Sequence, residues 1–281
     1  MKFQVHSDMH YNVMQSSTFI FNIHALRTSN QFVLQEELTV DPYIRMEEFS
    51  SKSSLNRFVR LKVLGGTSFK ISYKATIDSN CEVIHHQEIL GADAVDQLDG
   101  DVIPFLFPSR YCQSDKLQKF AFDKFGLINN PYLQVLTISD WIYDNVQYLS
   151  GSTDSHTSAF DTITERAGVC RDFAHLGIAL CRALTIPARY FTGYAFKLYP
   201  QDFHACFEAY IGGKWIMFDA TKLVPLNGLV KIATGRDAAD AAVASIFGNA
   251  FCNSIQVGCE TLENNFEPFL YDKAIFNCLS Y

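Results

Sequence analysis

The chain lacks most of what marks the specialised protein classes. No stretch approaches the roughly eighteen apolar residues of a membrane-spanning helix. His6, Asp8, His10 and Asn12 interrupt any apolar run near Met1, so an ordinary secretory leader is not read there. No CxxC pair occurs among the 8 cysteines, which removes zinc-ribbon spacing. There is no repeat of fixed period and no low-complexity tract. A net charge of -7 offers no basic surface for phosphate, so nucleic acid is not an expected partner. With no membrane segment and no leader, a cytoplasmic location is expected, where most of the cysteines stay as free thiols. No cofactor or metal is expected, and nothing reports on oligomeric state.

What is present fits a globular protein of 281 residues, 48% hydrophobic and 19% charged, long enough for two domains. The first hundred residues alternate like half-buried strands: Phe19, Phe21 and Ile23 on one side, then Val59, Leu61 and Val63 opposing Arg60 and Lys62, then Ile71, Tyr73, Ala75 and Ile77. Gly65-Gly66 and Asp78-Ser79-Asn80 separate the runs. An all-β domain over 1–104, a small sandwich, is the expectation. The pair His85-His86 points to opposite faces of any strand, which favours a surface edge over a metal site.

Two prolines, Pro104 and Pro108, punctuate the boundary, and the period then turns helical over 105–281. Asp115 is placed as the cap of a helix using Leu117, Phe120 and Phe125. Pro131 opens a second, with Val135, Ile138, Ile142 and Val146 as its stripe and Trp141 on its buried face. Thr157 caps a short helix with Phe160 and Ile163 inward, and Gly168 supplies its left-handed end. Cys170 follows at once, at the start of a helix carrying Phe173, Leu176, Leu180 and Leu184 and stopped by Pro187. Three strand-like runs come next, which makes an α+β domain.

Cys170 is the cysteine that departs from the default of a small buried hydrophobe. A helix N-terminus sets the positive end of the macrodipole and unpaired N–H groups beside a developing anion, which favours a thiolate nucleophile and offers an oxyanion donor. Cys181, three turns inside the same helix, gains none of this. A base follows from the hairpin signal Gly212-Gly213. With Ile211 opposite Lys214, Cys206 faces Asp219, and His204 becomes a diagonal neighbour of Asp219 on one face. A one-residue slip would put Asp219 on the apolar face of Ala205, Phe207 and Ala209. Singly, each residue has a blander reading: a structural histidine, a turn-forming aspartate, or a metal site of His204, Cys206 and Asp219 lacking a clear fourth ligand. Jointly, a helix-capping Cys, a strand His and a neighbouring Asp are the parts that acyl transfer needs.

The run from Thr157 through Cys170 to Phe196, the run DFHACFEAYIGGKWIMFDATKLVP, and the run GLVKIATGRDAADAA closely resemble bacterial transglutaminase-like proteins, candidate cysteine proteases, over nearly all of residues 105–250. The N-terminal region is similar to the small β domain that precedes this core in such proteins. The resemblance implies a papain-like core, a central Cys-bearing helix packed on an antiparallel sheet. It implies Cys170 as nucleophile, His204 as general base and acid, Asp219 as orienting carboxylate, and a thioester formed from a peptide or protein amide. Animal transglutaminases follow the Cys with Trp and use a second, upstream Trp at the oxyanion; here Arg171 follows, Trp141 sits in a helix, and calcium-binding acidic clusters are not evident. These departures favour hydrolysis. Transfer to an amine and a non-catalytic peptide-binding module are the alternatives. Arg171 and Asp172 are read as a salt bridge before a substrate contact, and Asp237 as the cap of an alanine-rich helix.

Overall fold

A computed structural model of the protein describes residues 1–52, 54–85, 89, 94–269 and 277–281. Strands β1 (Lys2–Val13), β2 (Ser17–Phe21), β3 (Gln31–Asp41), β4 (Met46–Ser50), β5 (Arg57–Val63) and β6 (Thr67–Ser79) build the N-terminal layer pair. Period-two alternation decides their faces: Phe3, Val5, Met9, Tyr11 and Val13 of β1 are buried, as are Val59, Leu61 and Val63 of β5, while Arg60 and Lys62 reach water. Phe69 stacks on its strand neighbour Tyr11 and meets Phe19 of the facing sheet across the gap, with ring centroids 5.4 and 5.0 Å apart.

After β7 (Glu82–His85), helices α1 (Ser114–Phe125) and α2 (Pro131–Asn145), strand β8 (Gln147–Tyr148), α3 (Ala159–Glu165) and β9 (Ala167–Gly168) lead into α4 (Cys170–Ala183). Then come β10 (Ala188–Ala195), β11 (Phe203–Ile211), β12 (Lys214–Phe218), β13 (Leu229–Gly235), β14 (Ala244–Phe247), β15 (Ala250–Thr261) and β16 (Asn277–Ser280). The sheet orders are β15-β1-β6-β3, β14-β2-β5-β4 and β13-β10-β11-β12-β16-β7, with β8 and β9 a separate parallel pair. The architecture is therefore an α+β core joined to a β-sandwich. Strand pairing crosses residue 104 in both directions: β14 and β15 return to complete the two sandwich sheets, and β7 joins the core sheet through β16.

α4 packs on β10 and β11 and is buried on every side from Asp172 to Ala183, as a central helix must be. Arg182, buried in its last turn, donates to the carbonyls of Ala188, Phe107 and Arg236 and so ties three connections to one point. The Gln31 amide donates to the Lys231 carbonyl and accepts from the Lys231 N–H, and Asn56 does the same for Thr234, which stitches β13 to the sandwich.

Several local expectations change. Gln113, not Asp115, occupies the position before α1; Asp115 lies in the first turn, where a carboxylate favours the dipole. Pro131 is the first residue of α2, as the sequence suggested, and Asn130 caps it, its side chain accepting from the Leu133 N–H. Trp141 is half-buried, against Phe120 and Phe125. Ser158, not Thr157, occupies the cap of α3, donating its N–H and Oγ–H to the Asp161 carboxylate, and Phe160 faces outward with 41% exposure. The left-handed residue ending α3 is Arg166, at φ 58°, and not Gly168. Residues 236–241 form turns, so Asp237 caps no helix; it accepts from the Tyr111 and Ala239 amides. His85 ends edge strand β7, paired with Asn277, and His86 lies outside the described residues.

Candidate active site

Three pieces of backbone converge at the N-terminus of α4. The first is the helix start itself. Val169 precedes it and has no side-chain acceptor, so the work falls to Asp172, whose carboxylate accepts from the Val169 N–H at 2.9 Å and from Thr153 Oγ1 at 2.8 Å. Gly168 permits this: a Cβ there would stand 2.8 Å from Asp172 Cβ. Its role is close approach. Arg171 donates to Asp172 Oδ1 at 2.9 Å and to the Asp154 carbonyl at 2.6 Å, the salt-bridge role expected for it. Cys170 is left at the helix tip, half-buried.

The second piece is the β11–β12 hairpin. Gly212 and Gly213, at φ 60° and 77°, make the turn that only residues free of a Cβ adopt readily. Ile211 pairs with Lys214, Glu208 with Met217 and Phe207 with Phe218, the expected register. β12 ends at Phe218, and the next residue reaches back: His204 Nε2 lies 3.0 Å from Asp219 Oδ2. Both side chains are buried. Thr221 fixes the other carboxylate oxygen, donating from its N–H at 2.9 Å and from Oγ1 at 2.7 Å. His204 Nδ1 has no hydrogen-bond partner, although the Cys170 thiol is close enough to support the imidazole's charge.

The electrostatics follow from this packing. Burial opposes a charged imidazole at His204, but the Asp219 carboxylate outweighs it and holds the pKa well above the ordinary value. Burial would lift Asp219; the His204 charge and the Thr221 donors more than offset it and keep the carboxyl below its usual range. Cys206, on the same face, is pushed up to about 12 by burial and then by Asp219, and stays a neutral thiol. Ligating atoms of His204, Cys206 and Asp219 lie within 4.8 Å of one another, the one such group among the described residues. Their lone pairs do not converge on a common centre, because His204 Nε2 and Asp219 Oδ2 face each other and Thr221 holds Asp219 Oδ1.

The third piece was not visible in sequence. β8 pairs in parallel with β9, setting Tyr148 beside Gly168, with the Leu149 N–H bonded to the Gly168 carbonyl at 2.9 Å. The Tyr148 ring lies 5.8 Å from that of Phe173, one turn into α4, and its phenol feels the charge of the Cys170 thiol and the Cys170 backbone N–H. Burial, then the Cys170 thiol, raise the phenol's pKa against the opposing pull of His204 and that N–H, so the group remains an O–H donor. A two-residue strand leaves no periodicity to read, and Tyr148 stands 22 positions before Cys170.

Comparison with known proteins places this arrangement. Residues 1–101 match the bacterial transglutaminase N-terminal domain, and residues 118–220 match the transglutaminase-like superfamily core. A candidate cysteine protease from Cytophaga hutchinsonii, known from its crystal structure, is 67% identical, with a TM-score of 0.97 over 100% of this chain and 97% of that one. An uncharacterized protein of Mycobacterium leprae is 26% identical over 185 residues, 63% of this chain and 64% of its own length. An uncharacterized protein of Mycobacterium tuberculosis is 38% identical over 82 residues, 29% of this chain and 26% of its own length. The chain thus spans less than two thirds of these curated relatives. It belongs to the transglutaminase-like superfamily.

Proposed function

We propose that the protein cleaves an amide or peptide bond through a thioester on Cys170. The observation that carries this reading is the His204–Asp219 pair, whose Nε2 is committed to the carboxylate while Nδ1 is left open toward the thiol at the tip of α4. Cys170 Sγ attacks the carbonyl carbon, and His204 Nδ1 takes the thiol proton and returns it to the leaving amine. Asp219 fixes the ring orientation and supports the imidazolium. Negative charge gathers on the carbonyl oxygen, which the Cys170 N–H and the Tyr148 O–H stabilise, a reading supported by the β8–β9 pairing that sets Tyr148 beside Gly168. Water, activated by His204, then releases the acid and restores the thiol.

Cys170→Ala removes the nucleophile, and turnover of peptide and amide substrates is expected to fall by about 10⁴-fold or more. Retention of activity in that variant would overturn the reading. Assays with added primary amine separate water from amine as the acceptor: release of free acid undiminished by amine supports hydrolysis, and diversion into amide product moves the assignment to a transferase on the same residues.

A further inference from the structure

We propose that Asp202 sets the substrate preference of this site, favouring an acyl donor that carries a protonated amine or guanidinium beside the reacting carbonyl. The inference rests on the reading of Cys170 as nucleophile. Asp202 immediately precedes β11, two residues before His204, and in extended chain residues two apart share a face. It continues the line of His204, Cys206 and Glu208 outward to solvent, and it is exposed where His204 is buried. Its Oδ1 accepts from the Phe203 N–H at 2.7 Å, which fixes the carboxylate, and its Oδ2 has no partner among the described residues. Its charge acts on His204 and on the Tyr148 hydroxyl, the two groups on which the Cys170 thiol also acts.

No lysine or arginine pairs with this carboxylate among the described residues, which leaves Oδ2 open to a ligand. Arg171 is committed to Asp172, Lys222 to Asp140, and Lys197 to the rings of Phe196 and Phe266. The neighbouring walls partly strip water from Asp202, and the Phe203 amide and the His204 charge offset only part of that cost. A cationic group on the substrate relieves it, a neutral one leaves it unchanged, and an anionic one is repelled. Glu208, two positions further in on the same face, cannot take this part, because Arg189 and Lys231 already neutralise it in the interior.

Small alkylating reagents test the charge at the thiol without knowledge of the substrate. Cys170 would be treated with 2-bromoethylamine, iodoacetamide and iodoacetate, with modification of its peptide followed by mass spectrometry. The cation-to-neutral rate ratio, corrected for the same ratio on a free thiol, is expected to be about fivefold higher in the unaltered protein than in Asp202→Asn. Asp202→Lys is expected to shift the preference toward iodoacetate. Equal ratios in the unaltered protein and Asp202→Asn overturn the proposal while leaving the nucleophile intact. A Cys170 that iodoacetamide modifies no faster than exposed Cys252 overturns the nucleophile reading and this inference with it.

Discussion

The sandwich and the core sheet bury different chemistry. Between the sandwich sheets lie Phe19, Phe21, Val59, Leu61, Phe69 and Ile71, with Tyr11 and Tyr73 among them. Such an interior is held by area and shape, at about 25 cal/mol for each Å² removed from water. The core sheet instead buries Glu208, Lys231, His204 and Asp219, and the helix beside it buries Asp172, His175 and Arg182. Every one of these carries at least one hydrogen-bond or ionic partner, as burial of a charge demands. An apolar layer fixes a shape at little risk, whereas a polar one fixes individual atoms, and reaction chemistry needs atoms.

Substitutions on the two sides should fail differently. The largest effect is expected at Asp219→Asn, which keeps the shape and removes the charge: kcat should drop about 10³- to 10⁴-fold while the fold survives. Near-normal turnover in a correctly folded Asp219→Asn protein would detach the carboxylate from the chemistry. Next come two stability measurements by denaturant titration. Glu208→Gln leaves Lys231 and Arg189 without their common partner and is expected to cost about 3–5 kcal/mol. Leu61→Ala in the sandwich is expected to cost about 2–5 kcal/mol, with kcat of the remaining folded protein unchanged. If Leu61→Ala lowered kcat of the folded fraction, the two regions would be coupled, and the contrast drawn between them would break. Tyr148→Phe removes one oxyanion donor and should lower kcat about 10²-fold with little change in KM; an equal rise in KM alone would make Tyr148 a binding contact.

The smallest effect is a pH dependence. Asp219 is held below its unfolded value near ~4, so its stabilisation is present above that pH and is lost as the pH falls. His204 is held well above its unfolded value near ~6.5, so its contribution is full below that pH and is lost as the pH rises through the raised folded value. The pair therefore stabilises most between about pH 4 and 6.5. The gap in Tm between the protein and His204→Gln is expected to be widest in that window. A gap that stays flat from about pH 3 to 9 would argue against an imidazolium–carboxylate pair.

Local features of the sequence carried much of this. Alternation along β2, β5 and β6 named the sandwich core, because a strand has only two faces. The Gly212-Gly213 turn fixed the register that brings His204 to Asp219, because a two-residue loop leaves one pairing. The start of α4 at Cys170 was legible from helical spacing that begins there and stops at Pro187. Each of these is decided by residues within a few positions of one another.

The rest required the folded chain. The return of β14 and β15 to the sandwich joins Phe21 to Ala244 and Val5 to Cys259, and no short-range pattern encodes a partner so far away. The left-handed turn at Arg166, where Gly168 was the expected residue, is settled by the pairing of β9 with β8 and by the crowding of Gly168 against Asp172. The same pairing delivers Tyr148 to the tip of α4. The sequence by itself determined which cysteine stands at a helix terminus and which histidine an aspartate can reach. Only the tertiary structure decided what else surrounds them, since a two-residue strand gains its meaning from the strand it meets.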